Sequence, residues 1–182
     1  MNYELPTEIV IGDEVLPIRK KGDYRVILDV LSALTDPDLD EREQAAAALA
    51  IFYETPPHDA QQAAEEMVRF IDGGEEARAE KSSARLMDWE QDFPLIVAPV
   101  NRILGREIRS LPYLHWWSFL SAYMEIGDCT FSTVVSIRQK KQKGKKLEKW
   151  EQDYVREHPD TVNLAPRVSQ AEKDFLDSLV GD

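Results

Sequence analysis

The sequence predicts a mainly α-helical protein, a helical bundle with a small N-terminal β-hairpin. Apolar residues recur at helical spacing through most of the 182-residue chain, a pattern typical of amphipathic helices. Capping residues, prolines and glycines divide this pattern into segments of helix length. The N-terminus differs, because two short runs rich in β-branched residues flank Gly12-Asp13 there. Such runs around a Gly-Asp turn indicate a hairpin.

The first half of the chain is predicted to contain this hairpin and three helices. Capping residues precede the helices, and Pro or Gly residues follow each of them, beginning with Pro37 after the first. The predicted elements are, in order, a hairpin over 8–11 and 14–18, a helix over 24–34 capped by Asp23, a helix over about 39–53, and a helix over about 59–71 ended by Gly73-Gly74.

The second half is richer in large apolar residues and is also predicted to be helical. The predicted helices cover 87–104, 112–127, 131–137 with a continuation into the basic residues that follow, 147–155, and 169–180 with a Ser169–Glu172 capping box. Residues 158–166 carry two prolines and are predicted to be a loop. Because 131–137 has many β-branched residues, a strand is the alternative there.

Two prolines complicate the predicted helix over 87–104. Pro94 fits the first turn of a regular helix. Pro99 is expected to kink the helix, and a break into two shorter helices is the alternative. The expected buried stripe consists of Phe93, Ile96, Val97, Val100, Ile103 and Leu104.

The predicted domain organisation is one domain overall, in three stretches. Residues 1–72 contain the hairpin and the first helices, 73–86 are a polar linker or loop, and 87–182 form a C-terminal helical region. A chain of this length is short for two full cores.

Composition excludes several classes of protein. The formal net charge of −12 disfavours a general nucleic-acid binder, since phosphate affinity depends on clustered Lys and Arg. The single cysteine, Cys129, excludes an internal disulfide and a multi-cysteine metal site. No window has the apolar length of a membrane span, and no signal peptide is visible, so we expect a cytoplasmic protein.

Charge is distributed unevenly along the chain. Residues 1–137 contain 12 basic and 25 acidic side chains, whereas 138–149, the basic segment, contain 7 basic and 1 acidic. This segment is interpreted either as a solvated connection between helices or as a contact for an acidic surface, on a partner or on a second copy of the chain. Nucleic-acid binding is a weaker alternative, because no aromatic residue is interleaved for base stacking.

Residues that could carry out chemistry are few. Asp88, Glu90 and Asp92 are the best candidates for a metal site, but they fail the calcium-loop pattern and more simply form a negative helix N-terminus. His115 with Cys129 lacks a recognisable triad pattern, so a packed histidine is the preferred reading. Phosphate-binding glycine loops and hydrolase or zinc motifs are absent from the sequence. We therefore expect no enzyme activity, no cofactor and no metal.

Aromatic density is the most unusual feature of the sequence. Tyr113, Trp116, Trp117, Phe119 and Tyr123 fall within eleven residues. On one helix these side chains cannot share a single narrow face. The helix is therefore interpreted as lying in the core, or as part core and part protein interface, since Trp and Tyr are favoured at interfaces.

Residues 113–151 (YLHWWSFLSAYMEIGDCTFSTVVSIRQKKQKGKKLEKWE) resemble the hallmark stretch of a bacteriophage family, the gene-product-fifteen family. The upstream segment 88–108 (DWEQDFPLIVAPVNRILGREI) and the opening from Leu5 to Ile18 are similar to the same family. The likeness therefore extends over nearly the whole chain. The chain departs from the family pattern at 104–108, where members usually have Tyr-Gly-Ile-Asp-Leu.

The resemblance implies a tail assembly chaperone of siphovirus-type phages and prophages, whose tails are long and non-contractile. Its implied partner is the tape measure protein, which it holds soluble during virion morphogenesis in the host cytoplasm, with other tail assembly proteins as possible further partners. The mature virion would not contain it. No catalytic residue is implied.

The aromatic and basic residues are the hypothetical protein-binding site. We expect the aromatic side chains to bind a helical client, and the basic ones to pair with the acidic body of a neighbouring copy in a homo-oligomer. These residues are Tyr113, Trp116, Trp117, Phe119, Tyr123, Arg138, Lys140, Lys141, Lys145 and Lys146. The alternatives are a structural tail or virion component, a metal-dependent enzyme using Asp88, Glu90 and Asp92, and a nucleic-acid adaptor.

Overall fold

A computed structural model describes residues 4–74 and 85–169 of the chain. These residues form a mainly α-helical structure with an N-terminal antiparallel hairpin, which confirms the predicted fold class. The chain divides into two compact units: the first unit is Met1–Ala77 with Pro166–Asp182, and the second is Arg78–Ala165. Most of the predicted linker over 73–86, and the predicted helix over 169–180 apart from its first residue, lie outside the described residues.

The hairpin of the first unit consists of β1 (Glu8–Ile11) and β2 (Glu14–Pro17). Val10 pairs with Val15, and Gly12 lies in the turn with a φ of 59°, a left-handed conformation that glycine adopts without a steric penalty. Side chains alternate as expected of a half-buried strand pair. One face contributes Ile11 and Leu16 to the core, whereas both valines are exposed.

Three helices complete the described part of the first unit. They are α1 (Tyr24–Ala33), α2 (Glu41–Phe52) and α3 (Ala60–Ile71), each within two residues of its predicted bounds. Each begins at an aspartate whose carboxylate accepts a backbone N–H of the first turn: Asp23, Asp40 and Asp59. The buried helical residues are Tyr24, Val26, Ile27, Val30, Ala48, Leu49, Phe52, Ala63, Met67 and Phe70.

A strained turn connects the hairpin to α1. Residues Arg19–Gly22 form a tight, non-helical turn, in which Lys20 and Lys21 have left-handed φ values of 47° and 55°. Two successive non-glycine residues in the left-handed region cost roughly 1–2 kcal/mol each. Arg19 lies in the same turn and donates to the carbonyls of Ala50, Ile51 and Tyr53. These bonds satisfy groups that the C-terminus of α2 leaves unpaired, and they offset the strain.

All regular elements in the described part of the second unit are helices or helical turns. Its described elements are α4 (Trp89–Leu104), a 3-10 turn (Ile108–Ser110), α5 (Trp116–Met124), α6 (Thr130–Gln142), α7 (Lys149–Glu157) and the single turn α8 (Pro159–Val162). The helix predicted over 131–137 is confirmed, and the strand alternative is wrong. The loop predicted over 158–166 is partly wrong, because Pro159 starts a helical turn there.

The helix α4 continues through both prolines as predicted, and the alternative of two shorter helices is wrong. The placement of Pro94 is corrected: it lies in the helix interior and not in the first turn, because the helix starts at Trp89. Ile96, Val97 and Val100 are buried as predicted, but Ile103 is 44% exposed. The last turn of α4 therefore does not belong to the buried stripe.

The aromatic helix α5 begins four residues later than predicted, at Trp116. The reason is a local hydrogen bond: Nδ1 of His115 accepts from the backbone N–H of Trp117 at 3.0 Å. His115 thus serves as the N-cap, a position where the backbone is still extended. The residues before it, starting at Pro112, are consequently not helical. None of the helices in the described ranges has the length and apolar character that crossing a bilayer requires.

A buried ion pair joins the elements of the second unit. Arg138 of α6 is 6% exposed and Asp92 of α4 is 1% exposed. The guanidinium donates to both carboxylate oxygens of Asp92, at 2.6 and 2.8 Å. Its remaining N–H groups donate to the carbonyls of Leu86, Thr161 and Val162. All five donors of the guanidinium are therefore satisfied.

Asp92→Ala is expected to lower the free energy of unfolding by about 3–5 kcal/mol, because the substitution leaves the Arg138 charge buried without its partner. Asp153→Ala is the matched control. It removes a carboxylate that pairs with the exposed Arg156 in the same unit, and it should cost no more than about 1 kcal/mol. Urea denaturation followed by circular dichroism measures both free energies of unfolding. Equal losses in the two variants would show that the buried ion pair stabilises the fold no more than the exposed one.

Candidate protein-binding surface

The aromatic residues of α5 mainly build a core. Trp89 of α4 lies at the centre of an aromatic cluster, with ring centroids 5.9 Å from Trp116, 6.2 Å from Phe119 and 5.0 Å from Tyr123. Phe131 of α6 extends the cluster, 5.9 Å from Tyr123. These separations are typical of favourable aromatic pairs. Aromatic density in the sequence is thus largely explained by packing among α4, α5 and α6.

Burial divides the predicted aromatic site residues into two groups. Trp116 and Phe119 are fully buried, so in this structure neither side chain is accessible to a partner. Trp117 and Tyr123 are partly buried, and Tyr113, which precedes α5, is exposed. The structure therefore does not bring the five aromatic residues together on one surface.

Tyr123 belongs more to the core than to the surface. Its hydroxyl lies 3.2 Å from the sulfur of Met87. Burial raises the pKa of Tyr123, and the nearby Asp92 and Cys129 act in the same direction. A phenol with a raised pKa remains neutral at physiological pH, which suits a residue packed beside Trp89.

Two exposed apolar side chains of this unit were not predicted as surface residues, and one of them, Ile103, was wrongly predicted to be buried. Ile103 near the end of α4 is 44% exposed, and Met124 at the end of α5 is 75% exposed. Arg102 connects these helix ends by donating to the carbonyl of Ile126 at 2.7 Å. We call Ile103 and Met124 the apolar end of the unit. The signal for Met124 was its place beside Glu125, close to the predicted helix end at Gly127.

The cations of the basic segment have different environments. Arg138 is buried against Asp92, as described above. Lys140 donates to Glu151 at 2.6 Å, and Lys141 donates to the side chain of Asn163 at 2.6 Å. Beyond the end of α6, four lysine side chains are exposed and form no ion pair within the described residues: Lys143, Lys145, Lys146 and Lys149. The segment thus presents only part of its charge to a partner.

Trp150 is a surface aromatic residue that the sequence analysis did not select. It follows Lys149 directly, and its side chain is 51% exposed. The indole N–H donates to Glu148 at 2.9 Å, which orients the ring. An aromatic residue therefore directly follows the basic segment, although none is interleaved within it.

Asp88 and Asp92, two of the three acidic residues at the start of α4, make structural contacts, whereas Glu90 is exposed. Asp88 is the N-cap and accepts the backbone N–H of Gln91 at 2.9 Å, and it also pairs with Arg85. Asp92 is the partner of Arg138. Residues 4–74 and 85–169 contain no group of three or more Asp, Glu, His and Cys side chains placed to bind a metal ion. These contacts therefore favour the interpretation of the acidic residues as a negative helix N-terminus over that of a metal site.

The side chain of Glu151 links α7 to the basic segment. It is buried, accepts from Lys140, and also accepts the backbone N–H of Glu148 at 2.8 Å. The hydrogen bond from Lys140 lowers the pKa of Glu151 and, in turn, the bond to Glu151 raises the pKa of Lys140. The pair is therefore charged over the whole neutral range.

Glu151→Gln is expected to make stability less sensitive to acid. Because the folded-state pKa of Glu151 is below its unfolded value of about 4.3, its charge stabilises the fold above that pH. This contribution is lost as the pH falls through the lowered pKa. Thermal denaturation between neutral pH and pH 3 should show a shallower fall for Glu151→Gln than for the parent chain. Glu157→Gln, an exposed position on the same helix, should leave the slope unchanged, and equal slopes in all three proteins would contradict the linkage.

Comparison with known proteins gives one match. The family model described as Bacteriophage Gp15 protein matches residues 1–164. A search of curated proteins and a search of solved structures each gave no match. The matched range contains all ten of the predicted site residues. Since the model matches most of the chain, the chain belongs to the Bacteriophage Gp15 protein family.

Proposed function

We propose that this protein is a non-enzymatic tail assembly chaperone that binds the tape measure protein while a long non-contractile phage tail is built. Membership of the Bacteriophage Gp15 protein family indicates a phage protein with a structural or morphogenetic role. Within that role, a chaperone for the tape measure protein requires exposed apolar side chains for a helical client and enough charge to keep the complex soluble. The observation that carries the proposal is the exposure of Ile103 and Met124 at the ends of two helices that use Trp89, Trp116 and Phe119 for internal packing.

The client-binding residues in this proposal are Ile103 and Met124, with Tyr113 and the accessible part of Trp117 as further contacts. Methionine adapts to different apolar partners because its side chain is flexible and polarisable. That property suits a client that presents many similar helical segments. The net charge of −12 supports solubility of the bound complex.

The proposed place of action is the host cytoplasm, and the protein leaves before the tail is complete. Buried carboxylates and the capping role of His115 support a binding protein over an enzyme, because the candidate catalytic groups are engaged in structural contacts. No cofactor enters the proposal.

Ile103→Gln with Met124→Gln is expected to weaken binding of the tape measure protein at least about tenfold, because exposed apolar contacts at the centre of an interface carry most of its energy. The measurement is co-expression with the tape measure protein, followed by the soluble fraction of the client and its recovery with the purified chaperone. Val10→Thr with Val15→Thr is the matched control. It removes two exposed valines from the hairpin of the first unit and keeps β-branched residues there.

An unchanged soluble fraction of the client in the Ile103→Gln, Met124→Gln protein, with its circular dichroism intact, would contradict the proposed surface. A loss of solubility in the hairpin control alone would move the client-binding site to the first unit.

Mature virions are expected to lack the protein, since a chaperone dissociates once the tail tube surrounds its client. Quantitative mass spectrometry of purified particles, compared with infected-cell lysate, measures this directly. The tape measure protein serves as the internal reference in both samples. A stoichiometric amount in the particles would instead establish a structural tail component.

A further inference from the structure

The exposed lysines and Trp150 of the second unit form a surface that is not engaged by the rest of that unit. Trp150 is half exposed, and its indole N–H is already satisfied by Glu148. Burying this ring against a partner therefore leaves no N–H group without a hydrogen-bond acceptor. Lys146 and Lys145 lie four and five residues before it, in the connection between α6 and α7. We call Lys145, Lys146, Lys149 and Trp150 the Trp–Lys surface.

The first unit contains a groove of suitable character. It has a volume of about 340 Å³ and lies along the C-terminal half of α2, with Ala46, Leu49 and Ala50 on one side and Pro56 and Pro57 on the other. Its lining is mainly apolar, and its small residues leave room for a flat ring. Arg19 is also part of the wall. A guanidinium at that place is able to stack on an indole face.

Charge on the same helix is complementary to the Trp–Lys surface. Residues 1–77 carry 18 acidic and 6 basic side chains, and carboxylates concentrate around the N-terminus of α2. Glu41 is exposed in the first turn of that helix. Leu49 of the groove is eight residues further along, a distance of about 12 Å at 1.5 Å per residue.

Chain length permits both contacts at once. Lys146 precedes Trp150 by four positions, and a chain of that length spans at most about 14 Å. This limit exceeds the roughly 12 Å along α2, so an indole in the groove allows Lys145 and Lys146 to approach the carboxylates at the start of that helix. Neither the groove nor the Trp–Lys surface includes the apolar end that is proposed to bind the client.

We propose that this protein self-associates head to tail: the Trp–Lys surface of one copy docks on α2 of a second copy, with Trp150 in the apolar groove and the lysines against the α2 carboxylates. The two surfaces differ, so the contact is heterologous and each added copy offers a fresh docking site. The result is a ring or an open chain of subunits, formed without any client.

Sedimentation velocity across a concentration series tests the proposal. We expect the parent chain to associate at low salt and to dissociate near 1 M salt, where screening shortens the range of the lysine–carboxylate attraction to about 3 Å. Lys146→Glu with Trp150→Ala should raise the dissociation constant at least about tenfold. Arg106→Glu with Met124→Ala is the control with the same charge change and a comparable loss of exposed apolar surface, and it should associate like the parent.

Mixing two variants tests the head-to-tail geometry. Glu41→Lys with Ala46→Lys damages only the groove side, and Lys146→Glu with Trp150→Ala damages only the Trp–Lys side. Each protein should be monomeric alone, and the mixture should form a closed 1:1 dimer because only one intact contact is possible. Circular dichroism of each variant confirms that it is folded.

Three results would overturn the proposal. They are a parent chain that stays monomeric at every concentration and salt, a control variant that dissociates as readily as the Trp–Lys variant, and a mixture that forms no dimer. A monomeric parent that binds a polyuridine RNA oligomer, with binding lost on Lys146→Glu and Trp150→Ala, would assign the same surface to nucleic acid instead.

Discussion

The guanidinium of Arg138 is the group on which the packing of the second unit depends. A charge removed from water is tolerated only when its partner and all of its donors are satisfied. Arg138 meets that condition through Asp92 and three backbone carbonyls, which come from the residues before α4 and from α8. Because these acceptors belong to separate segments, one side chain fixes their mutual arrangement. A lysine, with a single ammonium group, could not reach all of them.

The aromatic cluster shows what this arrangement leaves for binding. Trp89 contacts three rings of α5, so the largest apolar side chains are used to fill the interior between α4, α5 and α6. A ring that is fully buried contributes to stability and cannot also contact a partner. Exposed apolar contacts are therefore left to residues at helix ends and in connections, such as Met124 and Trp150. Different side chains of one helix thus form the core and the surface, as buried Phe119 and exposed Met124 of α5 show.

Most helices and the hairpin could be predicted from the sequence because apolar spacing and capping residues act locally. The start of α5 could not, because the cap is a histidine, a residue that the usual capping rules do not favour. The burial of Arg138 was also not predicted, because this residue is the first cation of a lysine-rich segment. The signal was nevertheless present: Asp92 shares a stripe with Ile96 and Val100, and Arg138 follows Val134 by four residues. Single opposite charges in two apolar stripes indicate a buried pair.

A run of like charges is therefore not one surface. Helical periodicity turns Arg138 into the core and directs Lys140 toward Glu151 of α7, so these two cations hold the fold together. After Gly144, where φ is 62° and α6 has ended, Lys145, Lys146 and Lys149 are exposed to solvent. The C-terminus of α6 therefore separates the cations that make contacts within the unit from those that are available to a partner. Any binding role of the basic segment consequently belongs to its second half, next to Trp150.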